Sequence, residues 1–189
     1  MTEAQAALPL PTEPSAVISA CGHYRYVLTR TVGPGVRRAT FIMLNPSTAD
    51  SSNDDPTIRR CIGFAQRWGC GELVVLNLFA FRATAPRDLK RAADPVGPEN
   101  QEWFDKTLIG DLSTGPVVCG WGVHGVHQGQ DLAVLGWIDQ FGARPMALGV
   151  TKDGHPKHPL YVPYSAELVP YTMRQLFPTK EREGPQFPA

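Results

Sequence analysis

Two carboxamides and two imidazoles stand out in this chain because of where they lie in the sequence pattern. Asn45 directly follows the apolar run of residues 41–44, and Asn77 directly follows that of residues 73–76. His155 and His158 lie in a late loop, and each is followed by a proline. A carboxamide can orient water or pair with a donor–acceptor edge, and an imidazole can donate a hydrogen bond to a leaving group. These residue types are typical of a site for a flat, polar heterocycle.

Further candidate ligand-binding residues flank the same positions. Pro46 and Ser47 follow Asn45, whereas Phe79 and Arg82 follow Asn77 at short distance, and Trp121 closes a third apolar run. Phe79 could stack on a base and Arg82 could hold a phosphate.

Each of these candidates also has a purely structural interpretation. Phe79 and Trp121 are large apolar residues that commonly fill a core. The segment 45–48 has good turn residues, and the Asn77 amide could bond to loop backbone. Arg82 could be an ordinary solvated surface charge. These alternatives stay open at the level of the sequence.

The elements that must position these residues alternate between strands and helices. We predict strands at 23–31, 38–44, 73–76, 117–120 and 144–150. A first helix is predicted to begin at Asp55-Pro56, with Asp55 as N-cap and Pro56 at the first helical position. Two further helices are predicted at 98–109 and 130–141. The first two strands are expected to pair antiparallel across the turn at 33–35.

The alternation after those two strands predicts a mainly parallel central sheet in a three-layer α/β/α sandwich. The carboxyl ends of parallel strands meet at one edge of the sheet, where ligands bind in open α/β folds. Asn45, Asn77, Trp121 and the His155–His158 loop are therefore expected to converge there.

Length and composition set the limits. The 189 residues fit one α/β domain at 18–170, preceded by a flexible arm at 1–17 and followed by a Pro-rich tail at 171–189. Apolar content is 42% and charged content 19%, with no apolar run near the ~20 residues that span a bilayer and no signal-like start. These features predict a cytoplasmic protein with no membrane partner.

Charge and cysteine usage exclude two further classes. The formal net charge of +0 gives no global electrostatic case for nucleic acid, although it does not exclude a local basic patch. The four cysteines form no CxxC pair, which argues against a zinc site or a disulfide framework. We therefore predict no cofactor and no metal in the leading interpretation.

Residues from about 24 to 163 resemble the uncharacterised bacterial protein family DUF1643. The segments that carry this resemblance are Met43-Leu44-Asn45-Pro46-Ser47, Asp54-Asp55-Pro56-Thr57, Asn77-Leu78-Phe79-Ala80, the run from Asp94 to Asn100, and the run from Gly154 to Leu160. This resemblance implies no activity.

The order of motifs is similar, more distantly, to that of the uracil-DNA glycosylase superfamily. That resemblance implies an α/β sandwich in which a first motif positions the attacking water, a middle strand ends in an Asn that reads the base, and a late His-Pro loop stabilises the departing base. Asn45 would stand for the first, Asn77 for the second, and His155 or His158 for the third. Leu44 stands where that pattern has a nearby glycine.

The leading hypothesis is a nucleobase- or nucleotide-directed enzyme that hydrolyses an N-glycosidic bond. Its ligand would be a nucleobase, a nucleotide or DNA. One alternative is a metal-dependent hydrolase that uses Asp50, Asp54, Asp55, His155 and His158. Another is a non-catalytic nucleotide- or protein-binding module.

Overall fold

The computed structural model describes residues 15–47, 49, 53–109 and 115–172. Within them the strands are β1 (Ser15–Ile18), β2 (Arg25–Thr31), β3 (Arg38–Met43), β4 (Glu72–Asn77), β5 (Val117–Cys119), β6 (Pro145–Ala147) and β7 (Val169–Pro170). The α-helices are α1 (Pro56–Arg67), α2 (Pro86–Arg91), α3 (Asn100–Leu108) and α4 (Gln130–Gln140). Two 3-10 segments, Gly122–Gly129 and Pro159–Tyr161, follow β5 and β6.

The strands form one mixed sheet in the order β1-β2-β4-β3-β5-β6-β7. The four central strands, β4, β3, β5 and β6, are mutually parallel, and antiparallel pairings occur towards both edges. The α/β class and the parallel centre of the sheet are confirmed. The apolar run at 73–76 is buried because its side chains alternate between two hydrophobic cores on opposite faces of the sheet.

The predicted pairing between the strands at 23–31 and 38–44 is wrong. β2 pairs antiparallel with β1 and β4, and β4 lies between β2 and β3. The segment after β2 crosses the start of β4, where the amide of Val32 donates to the Gly71 carbonyl and the amide of Gly71 donates to the Arg37 carbonyl. Side chains are excluded at the crossing, because a Cβ on Gly71 would overlap with the Gly35 carbonyl. The N-terminal antiparallel pair therefore exists, but its members are β1 and β2.

Helix α1 begins where the sequence predicts. The Asp55 side chain accepts a hydrogen bond of 2.8 Å from the Ile58 amide, and Pro56 occupies the first turn, where a missing N–H costs nothing. Ile58, Cys61, Phe64 and Ala65 recur at helical spacing and are buried.

Two separate hydrophobic cores lie against the sheet. One contains the buried residues of α1 together with Phe41, Val75 and Val118. The other contains residues of α3 and α4 together with Ile42, Leu76 and Cys119. Neighbouring residues of one strand enter different cores because successive side chains point to opposite faces of a sheet.

The ends of the described chain differ in detail from the predicted arm and tail. Residues 15–17, placed in the arm by the sequence, belong to β1, and Tyr171, placed in the tail, is fully buried. Residues 1–14 and 173–189 lie outside the described part of the chain. None of the described helices combines the length and apolarity needed to cross a membrane.

Candidate functional site

A cavity of about 660 Å³ lies at the carboxyl ends of the central parallel strands. β4 pairs with one edge of β3 and β5 pairs with the other, so the order of the strands changes direction at β3. The cavity lies at this switch point, where ligands bind in open α/β sheets. Five of the residues singled out from the sequence line it: Asn45, Ser47, Asn77, Trp121 and His158. They come from four segments that are far apart in the chain.

Asn77, the last residue of β4, supplies the most unusual polar group of this cavity. The residue is 1% exposed, and within the described part of the chain neither Oδ1 nor Nδ2 has a hydrogen-bond partner. Its backbone is held by Asn100, whose Nδ2 donates to the carbonyls of Asn77 and Leu78, each at 3.1 Å. A buried amide without protein partners is rare in native proteins, and a bound water or a ligand is needed to satisfy it.

Asn45 follows β3 and is tied to the segment after β4. Its Nδ2 donates to the Ala83 carbonyl at 2.7 Å and to the Pro46 carbonyl at 2.9 Å. The amide of Ala83 in turn donates to the Pro46 carbonyl. Since both donor hydrogens of the carboxamide are engaged, Oδ1 is the atom with which Asn45 can act on a ligand or a water molecule.

His158 introduces an imidazole at the start of the second 3-10 segment. Its Nδ1 accepts a hydrogen bond of 3.3 Å from the Leu160 amide, which leaves Nε2 as the N–H donor of the neutral ring. Burial lowers the pKa of His158, and the nearby Asp55 carboxylate opposes this shift to a smaller extent. The ring is therefore neutral at neutral pH and can donate a hydrogen bond.

The loop that carries His158 is fastened to α1 by one arginine. Arg60 donates from Nε to the Pro159 carbonyl at 3.3 Å and from Nη2 to the Val162 carbonyl. Its guanidinium also lies 3.6 Å from the ring centroid of Tyr164. Gly63 makes room for that ring, because a Cβ there would overlap with the Tyr164 hydroxyl. The Arg60 side chain is thus occupied with the loop.

Trp121 forms part of the cavity lining from the end of β5. The side chain is buried and packs edge-on against Tyr171, with ring centroids 5.7 Å apart. Its indole N–H has no partner within the described part of the chain. Gly125 lies close beside the indole, and any side chain there would overlap with it.

Four predicted site residues do not line this cavity. Phe79 is fully buried in a core and packs on the ring of His127, so the expectation that it stacks on a base does not fit its position. Pro46 is buried and contributes its carbonyl to the Asn45 and Ala83 bonds. Arg82 lines a smaller neighbouring pocket. His155 has its backbone bonded to Thr151 and lies outside the cavity lining, so the structure separates it from His158.

Other lining residues were missed by sequence reasoning. Arg25 is 2% exposed and donates from Nη1 to the Ala49 carbonyl at 2.7 Å. Its side chain is buried because β2 is covered on both faces of the sheet. His124, in the first 3-10 segment, lines the same cavity and no motif points to it, whereas Lys157 belongs to the run from Gly154 to Leu160.

The acidic residues considered for a metal site have other tasks. Asp54 accepts a hydrogen bond of 2.8 Å from the Nε of Arg30, and Asp55 caps α1. Among the residues that the structure describes, no group of three or more His, Cys, Asp or Glu side chains is arranged to hold a metal ion. Asp50 lies outside those residues.

Comparison with known proteins places the chain in a family. A search of curated proteins and a search of solved structures each gave no match. The model of the family described as "Protein of unknown function (DUF1643)" matches residues 25–160, a span that includes β2 to β6 and the cavity residues from Arg25 to Leu160. The chain is therefore a member of the DUF1643 family.

Proposed function

We propose that the cavity binds a nucleobase and that the protein hydrolyses the N-glycosidic bond of a nucleoside or nucleotide. The observation that carries this proposal is the Asn77 carboxamide, which is buried in the cavity lining with both polar atoms unpartnered. Leaving such a group unpaired costs about 1–3 kcal/mol, which a bound ligand with the complementary edge would recover.

The chemistry of Asn77 defines the edge that it would recognise. A carboxamide presents an acceptor and a donor side by side in one plane. A pyrimidine or purine edge presents the reciprocal pair, whereas a sugar or an aliphatic acid does not offer it in a flat, rigid form. The buried Trp121, which lines the same cavity, suits a planar aromatic ligand.

Asn45 and His158 fit the two roles that the bond cleavage needs. In the reaction a water molecule adds to the anomeric carbon while the C–N bond breaks, and the bonding electron pair leaves with the base. Asn45 Oδ1 would orient the water by accepting one of its hydrogens. His158 Nε2–H would donate to the base and stabilise the negative charge that develops there. One proton of the water ends on the base and the new hydroxyl stays on the sugar.

The architecture is in keeping with this proposal. We infer a three-layer α/β/α arrangement from the two cores, one with α1 and the other with α3 and α4. The order of the polar segments, an Asn-Pro after an early strand, an Asn at the end of a middle strand and a late His-Pro loop, is the order in the uracil-DNA glycosylase superfamily. That parallel supports a glycosylase-like fold and reaction.

The test is release of free base from nucleosides, nucleotides and base-modified oligonucleotides, followed by chromatography. Asn45→Ala and His158→Ala should each reduce the rate by about 100-fold or more if they stabilise the transition state. The matched change His155→Ala removes the other imidazole of the same loop and should have a much smaller effect.

Three results would contradict the proposal. Equal losses on His155→Ala and His158→Ala would show that the loop matters only for folding. Metal bound at one equivalent, with hydrolysis that depends on it, would favour the metal-dependent hydrolase. Base binding without any base release would reduce the function to that of a nucleotide-binding module.

A further inference from the structure

A second pocket, of about 320 Å³, adjoins the candidate site. Ser47, Ala83 and Thr84 line both spaces and form the wall between them. This wall is fixed, because Ala83 is hydrogen-bonded through its amide to Pro46 and through its carbonyl to the Asn45 side chain. The Ser47 and Thr84 side chains therefore border both spaces, so the two pockets share one edge.

The second pocket is basic. Arg82 and His23 belong to its lining, and the described lining contains no acidic residue. Among the described residues that line the main cavity, Arg25 and Lys157 are basic and Asp55, the N-cap of α1, is acidic. In a chain whose formal net charge is +0, this concentration of basic groups at one site favours an anionic ligand.

Arg82 is positioned by backbone rather than by an acidic partner. Its amide donates to the His23 carbonyl at 2.9 Å, next to the antiparallel bridge between Tyr24 and Phe81. The guanidinium donates from Nη1 to the Gly22 carbonyl at 3.3 Å. In the described part of the chain no carboxylate lies within ion-pair distance of it, unlike Arg30, which pairs with Asp54. A guanidinium has five donors, so most of those of Arg82 stay open to a ligand.

We infer that the Arg82 pocket is a phosphate subsite and that the ligand is a nucleotide whose base occupies the main cavity. The inference rests on the proposed function for the identity of the base. A guanidinium in a part-buried pocket recognises a phosphate through charge-assisted hydrogen bonds, and the Ser47 and Thr84 hydroxyls can add neutral ones. The subsite would select a nucleotide over the corresponding nucleoside.

The experiment measures affinities by isothermal titration calorimetry with the full chain. The probes are the common nucleosides, their 5′-monophosphates, inorganic phosphate and a short single-stranded oligonucleotide. The best-bound base should gain about tenfold or more in affinity when it carries the phosphate, and added salt should reduce this gain. Arg82→Gln should reduce the gain to about twofold or less, with nucleoside affinity unchanged, and Arg82→Lys should retain part of it.

The matched control is Arg87→Gln. Arg87 lies on α2, its side chain is 80% exposed, and it lines neither pocket. The substitution Arg87→Gln removes the same charge from a nearby segment. It should leave unchanged the gain in affinity that the phosphate gives a nucleotide over its nucleoside. An equal loss in both variants would mean that only the general charge of the surface acts, and the subsite would be rejected.

The outcomes separate this inference from the proposed function. If nucleosides bind but their 5′-monophosphates show no gain in affinity that depends on Arg82, the phosphate subsite is overturned and the base cavity is kept. Arg82-dependent binding of inorganic phosphate without nucleoside binding would keep the anion site and overturn the base cavity. A short single-stranded oligonucleotide that binds more tightly than the monophosphate, again through Arg82, would show that the subsite holds a phosphodiester. Binding of none of the probes would reject both proposals.

Discussion

Replacing Asn77 by leucine should make the protein more stable while it abolishes ligand binding. The two residues branch at the same carbon, so two methyl groups would take the places of Oδ1 and Nδ2. Both polar atoms are buried and, within the described chain, have no partner. Leaving a buried polar group unsatisfied costs about 1–3 kcal/mol. Asn77→Leu should therefore raise the free energy of unfolding by about that amount, and the adjacent cavity has room for the longer bonds.

Asn100 provides the matched comparison. It is also an asparagine that is 1% exposed, and it lies next to Asn77, but its Nδ2 donates to two backbone carbonyls. Asn100→Leu should lower the free energy of unfolding, because two carbonyls lose their donor at about 1–3 kcal/mol each, whereas only one unpartnered atom, Oδ1, is removed. The same chemical change at two neighbouring sites is thus expected to have opposite signs.

Urea unfolding followed by circular dichroism measures both changes, and thermal unfolding should shift by about 2–4 °C per kcal/mol in a chain of this size. A ligand that binds the cavity should raise the melting temperature of the wild type but not that of Asn77→Leu. If Asn77→Leu destabilises the protein as much as Asn100→Leu does, the Asn77 amide is satisfied within the free protein and the argument for base recognition fails.

Three further predictions test other parts of the site. NMR titration should give His158 a midpoint below about 6.5, the value of an unperturbed histidine, and Asp55→Asn should lower it further because the opposing carboxylate is lost. Because the pKa of His158 is lower in the folded protein than in the unfolded chain, the unfolded chain binds more protons once the pH falls below about 6.5. The free energy of unfolding should therefore decrease as the pH falls through this range, and His158→Gln should make that decrease smaller. Gly63→Ala should destabilise the wild type, because the added methyl group would overlap with the Tyr164 ring. In a Tyr164→Ala background the same change should stabilise the protein by up to ~1 kcal/mol, since alanine favours the helix more than glycine does. A change in stability of the same sign in both backgrounds would contradict the packing of Tyr164 on Gly63. Cys21 should be the one cysteine that reacts rapidly with a thiol reagent in the native protein, since its pKa is lowered by a hydrogen bond from Ser19 while the other three are buried; four fast thiols without denaturant would refute this.

The sequence by itself determined the central strands, three of the helices and the edge of the sheet where several polar residues meet. Asp55-Pro56 specified the start of α1, because an N-cap followed by a proline acts within one turn. The short apolar run before Asn77 specified a central strand, because only a strand covered on both faces tolerates such a run. Parallel strands then brought Asn45, Asn77 and Trp121 to one end of the sheet.

The tertiary structure decided what local patterns do not encode. The order of the strands depends on which strands pair with each edge of β4. Because β4 lies between β2 and β3, the expected antiparallel pair of the strands at 23–31 and 38–44 does not form. The choice between His155 and His158 depends on how the loop is fastened by Arg60, about a hundred residues away in the chain. Phe79 entered the core and Arg25 reached the cavity because burial is fixed by which faces other elements cover, and a single strand does not carry that information.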